Sequence, residues 1–453
     1  MVYKRFRNIK VFLFISLFLL DFKGFSQGYA QDKNTNSIPS YNSIEEIMAL
    51  SRLNNIRTYS EEGSDVLFYA NLIIKKHINF NRLVDFRYFC DECARAMARL
   101  DQLALNNASR EERHNALYFE LCKLAALLHD QHTFIKTPKN VIENYDVYAV
   151  NFTTIEKKLI ITALGSMYEN NVGSEVTEIN GLPVEQVHKA IKSIISYSTE
   201  AYAIRQADFQ LNIKQSLEAV GLGSFDGRLT IKLADGNTMV FEPVPYSNFA
   251  GIHFNLLQQS FPKTIYTDSW YEGWDLTNDC LFVKYNVSKN AQDYKVSAFV
   301  SDVFNAYDAN DFSSLIIDFR SNSGSDPDLL KGFIKKIEKY IAKNKCHGYV
   351  LIGADTFSTA VDNVVELKKA GCILVGTPTG GAINYYGDVR TFELPNSRFL
   401  AAYGSRFHVN DKNANSKSVI PDVFVDFSVD DYILGNDSQV NWILKNIESK
   451  RGE

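Results

Sequence analysis

Between residues 279 and 427, short apolar runs alternate with longer amphipathic ones. "CLFVKYNV", "SSLIIDFR", "GYVLIG" and "CILVG" read as strands. "VSAFVSDVFNAYDA", "DPDLLKGFIKKIEKYIAK" and "TAVDNVVELKKAG" read as helices, with apolar residues three and four apart. Strands that alternate with helices imply right-handed βαβ crossovers and largely parallel pairing. The expected fold class is therefore α/β, with this segment as its core.

Upstream the period changes twice. Residues 41–135 read as helices throughout, and "SREE" at Ser109–Glu112 is a capping-box start. Residues 145–247 alternate as short strands around a helix, with "NG" and "DG" marking turns. Within them "VGSEVTEINGLPVEQVHKAI" resembles a segment of PDZ domains, which bind extended peptides by strand addition. A β-rich spacer that binds nothing fits the same residues, and "AYAIRQADFQLNIKQSLEAVGL" would interrupt a standard PDZ domain. The expected layout is a leader at 1–30, a helical region at 31–140, a PDZ-like module at 141–250 and the α/β core at 251–445.

The leader is read from its order of residues. A basic stretch, "MVYKRFRNIK", precedes the ten-residue apolar run "VFLFISLFLL" and then small and polar residues. That is the pattern of a secretory signal peptide, and it is short of the ~20 residues a membrane span needs. The expected location is secreted or periplasmic, with no transmembrane segment in the mature chain. A net charge of −5 offers no basic field, which disfavours nucleic acid as the main partner. Six cysteines in 453 residues are too sparse for a disulfide scaffold. Cys90 and Cys93 form a C-x-x-C that suits either a redox pair or two residues of a helix core, and no second pair completes a zinc site.

Three stretches carry candidate chemistry. In "LIIDFRSNSGSDPDLL" a strand ends at Phe319 and Asp326 can cap the next helix, with Pro327 at its first position. The turn between them exposes backbone N–H groups suited to a developing oxyanion, and Gly324 permits close approach; an ordinary βα loop has the same composition. In "IGADTFSTAVDN" Ser358 lies where a strand gives way to a helix. It is either a helix cap or a nucleophile with the Thr359 N–H behind it, and Thr356 and Thr359 offer more caps than one helix needs. In "LLHDQHTFI" His129, Asp130 and His132 follow a long helix. A serine needs a base, and His132 sits at an abrupt helix end.

Taken in order, these segments resemble the tail-specific, or carboxyl-terminal-processing, serine peptidases. "DQHT" at Asp130–Thr133 matches D-G-H-T, with Gln131 in place of glycine. "DFRSNSGS" at Asp318–Ser325 matches D-(L/F)-R-x-N-x-G-G, with Ser325 in place of the second glycine. "TFSTA" at 356–360 and "VGTPTGG" at 375–381 complete the set. The resemblance implies Ser358 as nucleophile and the N–H groups of Gly324 and Thr359 as oxyanion hole. The processing branch uses a lysine about 25 residues after the serine, but "TPTGGAINYYGD" has none. The tricorn-like branch uses the histidine of the first motif, here His132. An orienting acid is then expected, Asp388 first, with Glu393 and Asp130 behind it. The implied partner is a polypeptide substrate, and no metal or organic cofactor is implied. The family also holds non-catalytic ligand carriers, and the changes at Gln131 and Ser325 keep that reading open.

Overall fold

The computed structural model describes residues 43–256, 263–264, 271–277, 279–292 and 294–451. The expected leader, residues 1–30, lies outside them. The α/β core is built on a sheet whose parallel strands Cys280–Tyr285, Ser314–Asp318, His347–Ile352, Ile373–Gly376 and Val423–Phe424 lie side by side in chain order. Lys263–Thr264 and Tyr271–Thr277 extend one edge antiparallel.

Side chains alternate across each strand, so both faces of this sheet need cover. Leu281, Val283 and Tyr285 face one side, where they pack with residues of the helices Val296–Ala309, Lys331–Ala342 and Thr359–Lys369. Cys280 and Phe282 face the other, against Val440, Ile443 and Ile447 of the helix Ser438–Arg451. Crossovers of one hand that step in one direction leave their helices on one face. The C-terminal helix is what covers the second face. Arg320 ties it down, donating to both oxygens of Asp318 (2.9 and 2.7 Å) and to Asp437 Oδ1 (3.1 Å) just before that helix.

The helical layer comprises Ile44–Asn54, Glu61–Lys76, Phe86–Leu105 and Arg110–Ala126, and the capping box forms at Ser109 and Glu112 as expected. After it comes a mainly antiparallel sheet in which Lys158–Gly165, Glu175–Ile179, Leu229–Leu233 and Thr238–Phe241 are successive neighbours. Helices Val184–Ile191, Glu200–Gln210 and Lys214–Ala219 interrupt it. Helical layer and sheet share one hydrophobic core, and Phe392, Leu394, Phe399, Ala401 and Tyr403 from far downstream complete it.

Cys90 and Cys93 are buried free thiols on the helix Phe86–Leu105, and burial pushes Cys90 up to about 12. A thiol of that kind is a core residue and not a redox nucleophile. Among the described residues no helix is long and apolar enough to cross a membrane. Replacing Arg320 with Ala strands the buried Asp318 carboxylate. It should destabilise the protein by about 3–5 kcal/mol, read as a lower urea midpoint; an unchanged midpoint would show that Arg320 does not anchor the C-terminal helix.

Candidate active site

Strands Ser314–Asp318 and His347–Ile352 are paired in parallel, with Ser314 opposite His347, so their carboxyl ends lie side by side. The two loops that leave these ends are stitched together. Thr356 Oγ1 donates to Phe319 O at 3.0 Å, and Phe357 N donates to Asn322 O at 2.9 Å. Ser358 follows at φ 54° and ψ −134°. A non-glycine residue held there costs on the order of 1–3 kcal/mol and persists only where its surroundings force it. Ser358 stands at the N-cap of the helix Thr359–Lys369, yet its hydroxyl makes no capping bond. The Thr359 N–H, first in that helix, has no intrahelical acceptor.

Two glycines allow this crowding. A Cβ on Gly324 would lie 2.9 Å from Thr359 N, and one on Gly381 would lie 2.9 Å from Ser358 N. Neither contact is sterically tolerable, so both positions exclude a side chain. Ser325, where the family pattern has glycine, adopts a glycine-like φ of 135° and donates its N–H to Thr359 Oγ1 at 2.8 Å. The sequence therefore departs from the pattern there, with a serine held at a φ that favours glycine.

His132 comes from the loop that leaves the helix Arg110–Ala126. His129, at φ 48°, reverses the chain. Asp130 then organises the loop: Oδ1 accepts from His132 N (2.9 Å), and Oδ2 accepts from Thr133 Oγ1 (2.6 Å) and faces His77 Nε2 (3.2 Å). The short strand Phe134–Ile135 docks beside Leu400–Tyr403, with Phe134 opposite Ala402. Gln131 fills the place of the expected glycine. With its amide nitrogen toward Gly380 it donates to Gly380 O (3.2 Å) and accepts from Ala382 N (3.3 Å), joining this loop to the one behind Ser358.

These ties leave His132 Nε2 3.1 Å from Ser358 Oγ, with both residues buried. Burial lowers the His132 pKa; the charge of Asp130 opposes this and His408 adds to it. A neutral imidazole whose Nε2 accepts is what a serine base requires. Beside the pair opens a cavity of about 670 Å³, in the range of ligand pockets, lined by His132, Gln131, Phe357 and apolar side chains that include Phe119, Ile195 and Tyr202.

Two expected assignments are corrected. Gly324 N donates to Asn322 Oδ1 at 2.8 Å, so this N–H is engaged and does not serve as a second oxyanion donor; the residue's part is close approach. Asp388 does not stand behind His132. It accepts from His408 Nε2 at 3.2 Å, lies 3.7 Å from Arg406 Nη1, and is exposed. Glu393 is paired with Arg398. Asp130 touches His132 only through its backbone N–H. Among the described residues His132 Nδ1 has no hydrogen-bond partner, and no cluster of metal-ligating side chains occurs. The sequence gives no functional reading for His77 or Tyr385, and offers Asp362 only as a capping partner of Thr359. The signal available was a doubled tyrosine after a glycine pair, which carries no pattern of its own.

No protein-family model and no curated protein matches the sequence. Solved structures do match. Mature CPAF superposes with a TM-score of 0.54 at 14% identity, covering 87% of this chain and 95% of that one. Mature CPAF complexed with lactacystin gives 0.54 at 13%, covering 89% and 98%. The photosystem II D1 C-terminal processing protease gives 0.38 at 12%, covering 84% and 99%. The chain thus shares its fold with mature CPAF over most of the length of both chains. Asp388→Asn should lower kcat by less than about threefold, whereas neutralising an orienting triad acid costs about 10⁴-fold; a loss of that size would restore Asp388 to the catalytic set.

Proposed function

We propose that this chain is an exported serine-type peptidase of the tail-specific class, in the branch that uses histidine as base. One observation carries the reading: Ser358 Oγ, on a strained strand-to-helix turn, lies 3.1 Å from His132 Nε2. His132 takes the hydroxyl proton as Ser358 attacks a peptide carbonyl. The Thr359 N–H, the first of its helix, would donate to the oxygen that becomes negative, and losing one such donor typically costs ~10²–10³ in rate. His132 then gives its proton to the leaving amine. Water, activated by the same imidazole, hydrolyses the acyl-enzyme. The adjoining cavity is placed to receive a substrate side chain. A protein that only binds ligand has no use for the strained backbone at Ser358 or for its bond to a buried histidine. The basic, apolar and small-residue order of the N-terminus supports export.

A fluorophosphonate should label the wild-type chain and fail to label Ser358→Ala; equal labelling of both would end the assignment of the nucleophile. Because mature CPAF has been crystallised with lactacystin, lactacystin should compete for that labelling. The pH profile has a defined sign. Activity needs neutral His132, so kcat/KM falls as pH drops through its pKa. Burial holds that pKa below the ordinary ~6.5, which places the acid limb of the profile below about pH 6.5. A limb centred above pH 7 would mean that a different group is the base.

A further inference from the structure

Five rings form one column through the site. Tyr202, on the helix Glu200–Gln210, faces Phe357 with ring centroids 5.0 Å apart and planes at 28°. Phe357 faces His132 at 5.2 Å and 34°. His132 faces Tyr385 at 5.4 Å and 28°. Tyr385 faces His408 at 5.1 Å and 13°. The imidazole is the middle ring.

The column is anchored along its length. At one end Arg205 Nε donates to both Asp355 oxygens (3.2 and 3.1 Å), and Thr199 Oγ1 donates to Gly380 O at 2.6 Å. At the other end His408 is held by Asp388. Tyr385, next to the imidazole, donates its hydroxyl to Asp362 Oδ2 at 2.9 Å, and Asp362 Oδ1 accepts from Asn410 Nδ2 at 2.6 Å. Asp362 lies in the first turn of the helix that Ser358 precedes. Tyr385 is thereby fixed to the nucleophile's helix and packed on the base.

A catalytic imidazole must be kept in one ring orientation, and its χ2 torsion alone is a broad well. A carboxylate on Nδ1 usually does this through a hydrogen bond. Here the buried Nδ1 has no such partner among the described residues, while two rings, Phe357 and Tyr385, pack against the imidazole at interplanar angles of 34° and 28°. The ring cannot turn about χ2 without displacing a neighbour that is itself held. We infer that the aromatic column takes over the orienting task, with Tyr385 as the positioning residue that sets the plane of His132. This rests on the peptidase reading of the same site.

The test measures inactivation of the full chain by a fluorophosphonate, separating kinact from KI. Tyr385→Leu removes the ring face and should lower kinact about 10²-fold, the scale of a misplaced catalytic group, with KI within about threefold. Tyr385→Phe keeps the ring and should stay within about threefold of wild type in both constants. The inference is overturned if Tyr385→Leu retains wild-type kinact, or if Tyr385→Phe falls as far as Tyr385→Leu, since the hydroxyl and not the ring would then matter. Should Tyr385→Leu fail to fold, Tyr202→Leu removes an outer ring instead. Because Tyr202 also lines the cavity, KI is free to change; a fall in kinact of about fivefold or more supports the column, and an unchanged kinact overturns it. Wild type that does not label, or Ser358→Ala that does, would overturn the peptidase reading itself and is told apart by that control.

Discussion

The contact between His132 and Ser358 joins side chains 226 positions apart in the chain. Neither element that carries them could hold the geometry alone. Ser358 depends on two parallel strand ends lying side by side and on the bonds from Thr356 and Phe357 to the neighbouring loop. His132 depends on a helix terminus, on Asp130, and on a two-residue strand docked against Leu400–Tyr403. A hydrogen bond of this kind is lost over fractions of an ångström, so the surrounding structure is judged by how stiffly it fixes these two loops.

The stiffness comes from polar groups that are spent locally. Asp130 uses one oxygen for the backbone of His132 and the other for Thr133 and His77, all of them buried. Gln131 bridges to Gly380 and Ala382, the loop that packs against Ser358. Buried groups satisfied in this way resist rearrangement, because each alternative leaves an unpaired polar atom. The strain at Ser358 is retained for the same reason.

The α/β core was legible because buried strands and crossover helices have different periods and follow one another locally. The serine turn was legible as a junction with surplus caps, and the histidine through motif order. Asp388 misled because an acid near the right place in the chain says nothing about direction. It follows the strand Asn384–Gly387 at φ 48° and turns toward His408. Gly324 misled because the fold of Asn322 back onto its N–H is invisible in composition. Tyr385 carried no signal at all, since its importance arises only when the ribbon with Arg406–Val409 lays it across the imidazole. Likewise nothing in residues 392–403 signalled that their apolar side chains belong to the core of the helical layer.

That last feature bears on how the molecule comes into being. The core of the helical layer stays unfinished until Phe392, Phe399 and Tyr403 arrive. During synthesis the chain must be made through Tyr403 before those contacts can form, and contacts so remote in sequence close slowly. The strand that delivers them, Leu400–Tyr403, is also the one on which the histidine loop rests. Completion of the core of the helical layer and alignment of His132 with Ser358 therefore depend on the same strand.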